Sequence, residues 1–270
     1  MQPSRRPSDD VDYVLSQLSA KVRENSQVSL ANALVVIPTF NEAENLRRLI
    51  PQLLELPISL HILIVDDASR DGSAEIAREI GGTSGRVEVL ERPGKLGLGS
   101  AYRDGFAKAI ASGYQIIIQM DADGSHRVAD LQQMLQYFAI RPEVELLIGS
   151  RWIKGGKVNN WPKRREVLSR TANLYSRALL GLPIKDNTAG FRIYRADLLK
   201  KMDLQRITSE GYAFQIEMTR EADRVKAKII ERPITFIERE IGLSKMSPQI
   251  IGEALFKVTR WGVARLFKRG

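Results

Sequence analysis

The chain contains no cysteine, which excludes a disulfide framework, thiolate zinc sites and thiol nucleophiles. Histidine is nearly as scarce. His61 and His126 are the only two, and they lie too far apart in sequence to make a metal-ligand pair. His126 reads as a surface loop histidine. No apolar run approaches the roughly 18 residues needed to span a bilayer. The basic, polar stretch Met1 to Ser8 lacks the apolar core of a signal peptide, so the expectation is an intracellular protein. Acidic residues are also in deficit: 32 Asp and Glu face 41 Lys and Arg, a net charge of +9. That balance favours acidic partners such as nucleic acid, phosphorylated small molecules or an anionic membrane surface.

What is present is an alternation of strand-like and helix-like segments. Residues 1–32 read as an N-terminal appendage, with Val11, Val14, Leu15, Leu18 and Val22 on one helical face and Ser8 or Asp9 as a cap. From Ala33 the pattern becomes regular. Strands are expected at Ala33 to Ile37, Leu60 to Val65, Val87 to Leu90, Tyr114 to Ile118 and Glu145 to Ile148. Helices are expected between them: through Leu46, Leu49, Ile50, Leu53 and Leu54 with a kink at Pro51, from Ser69 to Ile80, after Gly97, and from Val128 to Phe138. This alternation predicts an α/β fold with a mostly parallel sheet and helices on both faces. The second half is less regular. It predicts helices at Glu166 to Leu180 and Tyr212 to Ala222, a short strand at Phe191 to Tyr194, and an edge strand at Ile229 to Ile237 interrupted by Pro233.

The stretch Gln119-Met120-Asp121-Ala122-Asp123-Gly124-Ser125 follows an apolar strand. Two carboxylates at such a strand end can converge on Mg²⁺ or Mn²⁺, hard cations that favour oxygen ligands and bridge to phosphate. The alternative is a solvated turn. Other polar clusters share that position. Pro38-Thr39-Phe40-Asn41-Glu42 and Asp66-Asp67 end the first two strands, and in an open parallel sheet such ends line one crevice. An aromatic beside Glu42 and Asp67 suits a nucleotide, whereas plain helix capping by Asn41 and Asp67 is the alternative. Gly94-Lys95-Leu96-Gly97-Leu98-Gly99 imitates a dinucleotide loop, but Tyr102 stands at the third glycine position and no Gly-Lys-Ser/Thr follows. It reads as a tight turn into a helix. Arg151, the Lys163-Arg164-Arg165 run, Arg239 and Lys245 supply charge-assisted contacts for anions.

These motifs together resemble the family 2 glycosyltransferases of the GT-A fold, through Val36 to Glu42, Val65 to Gly72 and Asp121-Ala122-Asp123. Gly149-Ser150-Arg151, Arg165 with Ser169, Asn187 to Arg192, and Arg239 with Gly242, Ser244 and Lys245 are similar to the polyprenol-phosphate (dolichol-phosphate) mannose synthases. The resemblance spans about Ala33 to Ser247 and places a GT-A domain at 33–247. It implies transfer of mannose from GDP-mannose to a polyprenyl or dolichyl phosphate with inversion, using Mg²⁺ or Mn²⁺. By the same resemblance Pro38, Phe40, Glu42, Val65 and Asp67 hold the nucleotide, and Asp121, Ala122 and Asp123 form the nucleotide–metal signature. Arg239 and Lys245 grip the donor, while Arg151, Arg165 and Ser169 receive the acceptor phosphate. Asp123, Arg151, Arg165 and Ser169 would carry the catalysis. Phe40 replaces a frequent tyrosine, and Ser125 replaces a metal-binding glutamine with a shorter, weaker ligand.

Residues 248–270 are expected to form an amphipathic interfacial helix, with Ile250, Ile251, Ala254, Leu255, Val258 and Trp261 along one stripe and cations interspersed. Docking on the protein's own domain or another subunit is the alternative. The expected setting is the cytoplasmic face of a membrane, bound peripherally, with a membrane-protein partner possible in principle. Deleting residues 248–270 should abolish liposome binding. Asp123→Ala or Arg151→Ala should remove most transfer while leaving the protein folded. A UDP-glucose-dependent polyprenyl-phosphate glucosyltransferase and a non-catalytic nucleotide-sugar or anionic-lipid binder stay open as rivals. Nucleic-acid binding is not expected, because the carboxylates would have no place in it.

Overall fold

The computed structural model describes residue 30 and residues 32–82, 84–239 and 248–267. The expected N-terminal appendage, except residues 30 and 32, and Lys245 lie outside the described residues. In the first half the β-strands and α-helices alternate as β1 (Ala33–Thr39), α1 (Ala43–Leu54), β2 (Leu60–Asp66), α2 (Ser73–Gly81), β3 (Val87–Glu91), α3 (Leu98–Ala111), β4 (Ile116–Gln119), α4 (Val128–Ala139) and β5 (Leu146–Ser150). The second half adds β6 (Lys157–Asn159), α5 (Lys163–Leu180), β7 (Arg192–Arg195), α6 (Ala196–Lys201), α7 (Gly211–Arg224), β8 (Ile229–Pro233), β9 (Thr235–Ile237) and α8 (Pro248–Phe267).

Seven strands form one sheet in the order β3-β2-β1-β4-β7-β5-β8. All its pairings are parallel except those of β7, which runs antiparallel to both β4 and β5. Strand residues alternate between the faces, as the two-residue period requires. Val35, Ile37, Ile62, Ile64 and Ile118 pack with α1, α2 and α4. Leu34, Val36, Leu63, Val65 and Ile117 pack with α3, α6 and α7 on the other face. Near-continuous apolar strands are what a sheet covered on both faces demands.

Several boundaries move for identifiable reasons. Helix α1 continues through Pro51 to Leu54. Helix α2 begins at Ser73 rather than Ser69, because Asp66 and Asp71 take the intervening amides: Ser69 N donates to Asp66, and Ser73 N to Asp71. The expected single strand from Ile229 to Ile237 is two strands. It breaks after Pro233, which lacks an amide proton for the ladder; β8 closes the edge of the main sheet while β9 pairs with β6. Among the described residues no helix is long and apolar enough to cross a membrane.

Helix α8 packs against α5 and α7, so the docking alternative is realised along one face. Val258 is buried with Leu180, Leu182 and Ile216. Tyr175 and Thr259 share a 2.7 Å hydroxyl hydrogen bond, and Lys257 donates to Ser209. Gly181 ends α5 at φ 62°, a turn that favours glycine, and the Arg265 guanidinium of α8 lies over it. The opposite face of α8 leaves Phe256, Val263 and Phe267 exposed, while Leu255 sits at the border of the docked face.

Candidate active site

The ends of β1, β2 and β4 lie side by side in the parallel sheet, which brings the first strand-end clusters together. Asn41 and Ala68 both sit at φ 56°, a region that costs an L-residue strain of order 1 kcal/mol or more. Side chains lock these turns: Asn41 N donates to Ser69, Arg70 N to Asn41 and Ala43 N to Asp71. Pro38 and Phe40 remain partly accessible, Val65 is buried, and Glu42 accepts from Asn45 at 2.7 Å. Lys95 lies 4.1 Å from the Phe40 ring centroid.

Asp67 does not cap a helix. One of its oxygens receives Arg92 at 2.5 Å, and the other receives the amides of Leu96 and Gly97. It thereby fastens the glycine-rich loop beside Phe40. The dinucleotide reading of that loop fails on geometry: the amides of Gly99 and Ser100, which open α3, already bind the Glu210 carboxylate at 2.6 and 3.1 Å. A helix start filled by a carboxylate has no place for a pyrophosphate.

Asp121 and Asp123 stand just beyond β4, Asp121 half-buried and Asp123 buried. Ser125 donates through its hydroxyl to Asp123 Oδ1 at 2.6 Å, while Arg239 pairs with Oδ2 at 3.1 Å. Burial pushes the Asp123 carboxyl upward, but the Ser125 hydrogen bond and the Arg239 charge outweigh it and hold the group below the usual range. Asp121 goes the other way. Burial, reinforced by the Asp123 charge, raises it despite the hydrogen bond from Tyr102 at 2.9 Å. Ser125, doubtful as a ligand on chain length, thus orients the carboxylate next to it. Ala122 is buried between the pair.

His126 is not a surface histidine. It is 3% exposed, stacks on Phe191 at 4.7 Å, and its Nδ1 accepts the Asp121 amide at 3.3 Å. Burial lowers its basicity even though Asp121 and Asp123 oppose that, so it is a neutral brace under the carboxylates.

Arg151 is buried, and Nε and Nη2 form a fork on Asp186, with Nη2 also reaching Thr188 at 2.9 Å. Burial opposes the Arg151 charge, and the Asp186 carboxylate more than restores it. Arg165 pairs with Glu238 and lies 4.2 Å from the Trp161 ring centroid. Arg151, Arg165 and Ser169 all line one groove, whose remaining wall is mostly apolar: Leu168, Ala172, Ile216, Ala254, Leu255 and Val258 belong to it. Helices α5 and α8 form its sides.

The segment from Asp186 to Phe191 joins the two halves of the site. Asp186 and Thr188 hold Arg151, while a Cβ on Gly190 would come within 3.3 Å of Asp121 Oδ2. Arg192, fully buried, ties this segment down through the carbonyls of Asn187 and Ala189. The sequence context of Asp186, Asn173, Tyr102 and His126 does not single them out as site residues, and Thr188 enters only within the motif Asn187 to Arg192. Their roles depend on partners far along the chain, except for His126, whose position next to the acidic stretch was the available signal.

This open sheet, with its carboxylate pair and its crevice at the strand ends, has the GT-A architecture of the glycosyltransferases. The chain belongs to glycosyl transferase family 2, whose model matches residues 34–203. It is 48% identical over 231 residues to the polyprenol monophosphomannose synthase of Mycolicibacterium smegmatis, covering 85% of this chain and 86% of that protein. It is 46% identical to the undecaprenyl-phosphate mannosyltransferase of Micrococcus luteus, covering 86% of this chain and 94% of that one. Among solved structures, a mannosyltransferase from Pyrobaculum calidifontis in complex with GDP-Man and Mn²⁺ superposes with a TM-score of 0.57 at 16% identity. That match covers 88% of this chain and 65% of the other, slightly under two thirds of its length.

Proposed function

We propose that this glycosyltransferase moves mannose from GDP-mannose to a polyprenyl monophosphate, with inversion at the anomeric carbon, at the cytoplasmic face of a membrane. The observation that carries the reading is the groove between α5 and α8: apolar walls suit a polyprenyl chain, and Arg151, Arg165 and Ser169 suit its phosphate. The two relatives named for transfer to polyprenol or undecaprenyl phosphate, at 48% and 46% identity, support the same acceptor and sugar.

The acceptor oxygen belongs to a phosphate monoester, which is anionic at neutral pH. It attacks C1 of the mannose, the bond from C1 to the diphosphate oxygen breaks, and GDP departs with the electron pair. No proton has to be removed, so no general base is needed. The residues' work is to bring two anions together against their repulsion. Arg151, fixed by Asp186, and Arg165, stacked on Trp161, neutralise and aim the incoming phosphate. Arg239, beside Asp123, offers positive charge to the departing diphosphate, joined by Lys245. Phe40, Glu42 and Asp67 border the place for the guanosine.

A divalent cation fits the donor set. Asp121 and Asp123 supply only oxygen, which suits Mg²⁺ or Mn²⁺. Among the described residues no group of three or more His, Cys, Asp or Glu gathers there, so the substrate diphosphate would complete the ligand shell. When bound, such an ion supplies charge neutralisation on the leaving group.

The test is incubation of purified protein with a short polyprenyl phosphate and either GDP-mannose or UDP-glucose, with Mg²⁺, Mn²⁺ or a chelator, followed by separation of the lipid. Mannosyl lipid formed only with the metal is the expected product. Glucosyl lipid alone would overturn the donor, and no lipid-linked sugar from either would overturn the activity.

A further inference from the structure

Helix α5 separates two features of opposite character. On one flank Arg165, Leu168, Ser169, Ala172 and Tyr175 line the acceptor groove. On the other flank a second pocket is lined by Trp152, Arg170, Asn173, Leu174, Arg177 and Lys185. Nothing in the transfer reaction uses this second pocket. Three of its six lining residues are cations and none is a carboxylate. Arg170 lies 4.2 Å from the Trp152 ring centroid and pairs with Glu166 at 2.8 Å. Among the described residues Arg177 and Lys185 pair with no carboxylate. Glu231 accepts the Lys185 amide at 2.9 Å, and Asp186, already paired with Arg151, lies behind Asn173. The three cations of this partly enclosed pocket are still poised for an anion.

The ridge between the two flanks indicates where that anion comes from. At helical spacing Val167, Thr171, Leu174 and Ala178 share the outward face of α5, and Val167 and Leu174 are 63% and 66% exposed. On α8, Phe256, Val263 and Phe267 are exposed as well. Scattered surface apolar residues need no explanation, but a ridge of them bordered by a cationic pocket does. An apolar ridge flanked by cations matches an acyl-chain region flanked by anionic headgroups.

We propose that Trp152, Arg170, Arg177 and Lys185 form a headgroup site for an anionic phospholipid, which seats α5 on the bilayer beside the mouth of the acceptor groove. This rests on the membrane setting of the proposed function and adds a defined lipid contact to it. The consequence is orientation: a bound headgroup on one flank turns the groove on the other flank toward the membrane that carries the acceptor.

The experiment is flotation of full-length protein with phosphatidylcholine vesicles with or without phosphatidylglycerol. Wild type is compared with Arg170→Gln/Arg177→Gln/Lys185→Gln. A control, Arg47→Gln/Arg78→Gln/Lys108→Gln, removes three cations from α1, α2 and α3. At about fivefold per cation, the pocket variant should bind the phosphatidylglycerol vesicles on the order of 100-fold more weakly. The control should bind nearly as wild type. Transfer to a short, water-soluble polyprenyl phosphate without vesicles should stay at the wild-type rate in the pocket variant, which also shows that it is folded. If both variants lose binding equally, attraction is only diffuse and the headgroup site is overturned. If the pocket variant binds as wild type, the site is overturned while the membrane setting stands. If wild type itself ignores phosphatidylglycerol, the membrane setting falls and the site falls with it.

Discussion

The carboxylate half and the cationic half of this site are assembled in different ways. Asp123 is held by Ser125, two residues away, and the Asp121 amide by His126, five residues away, on the end of a strand that the parallel sheet fixes. Arg151 depends on Asp186 and Thr188, and Arg165 on Glu238, each many residues distant and on another element. The first half is therefore built mainly on local contacts, with Tyr102 on Asp121 and Arg239 on Asp123 added from a distance. The second is a set of long-range charge pairs, in which removing one member strands the other.

That difference is sharpest at Arg151. Arg151→Ala leaves Asp186 buried without its fork, and breaking a buried pair costs about 3–5 kcal/mol. The expected loss of activity is therefore joined by an expected loss of stability. Urea unfolding should show that loss together with the loss of transfer, and an unaltered midpoint would mean the pair is not structural. Asp123→Asn should behave otherwise. Its transfer rate should fall about 100- to 1,000-fold, as when one charge-stabilising group is removed, with the unfolding midpoint barely moved. Tyr102→Phe takes one hydrogen bond from Asp121 and should lower Mn²⁺ affinity about tenfold, which a metal titration of transfer would read. The smallest structural effect belongs to Phe256→Ser. Because Phe256 is 67% exposed, stability should change by no more than about 0.5 kcal/mol while vesicle binding weakens. Deleting 248–270 is a blunter probe than it looked from sequence, because it would also uncover Leu180, Leu182 and Ile216.

The same contrast governs what could be read from the chain. The alternation of apolar strands and amphipathic helices up to β5 needs only local periods, and the order of those elements is as expected. So is the position of Asp121 and Asp123 just beyond β4. The antiparallel insertion of β7 between β4 and β5 has no local signature, since a four-residue strand carries too little pattern to specify its neighbours. Lys157–Asn159 and Ala196–Lys201 were missed for the same reason. His126 was misread because a loop histidine looks polar in sequence, whereas the stacking of Phe191 over it comes from a remote segment. Arg151 and Arg165 were picked out as acceptor residues and do line one groove, but Asp186, which makes the buried charge tolerable, could be found only once the chain was folded.

The most direct test of two separately built halves is the binding of GDP with Mn²⁺ to Arg165→Ala, measured by isothermal titration. Transfer in this variant should be down about 100-fold, as expected for an acceptor-phosphate contact. The account predicts wild-type affinity for GDP and Mn²⁺, because Arg165 serves the acceptor alone. A loss of GDP binding as large as the loss of transfer would contradict it and make Arg165 part of the donor site.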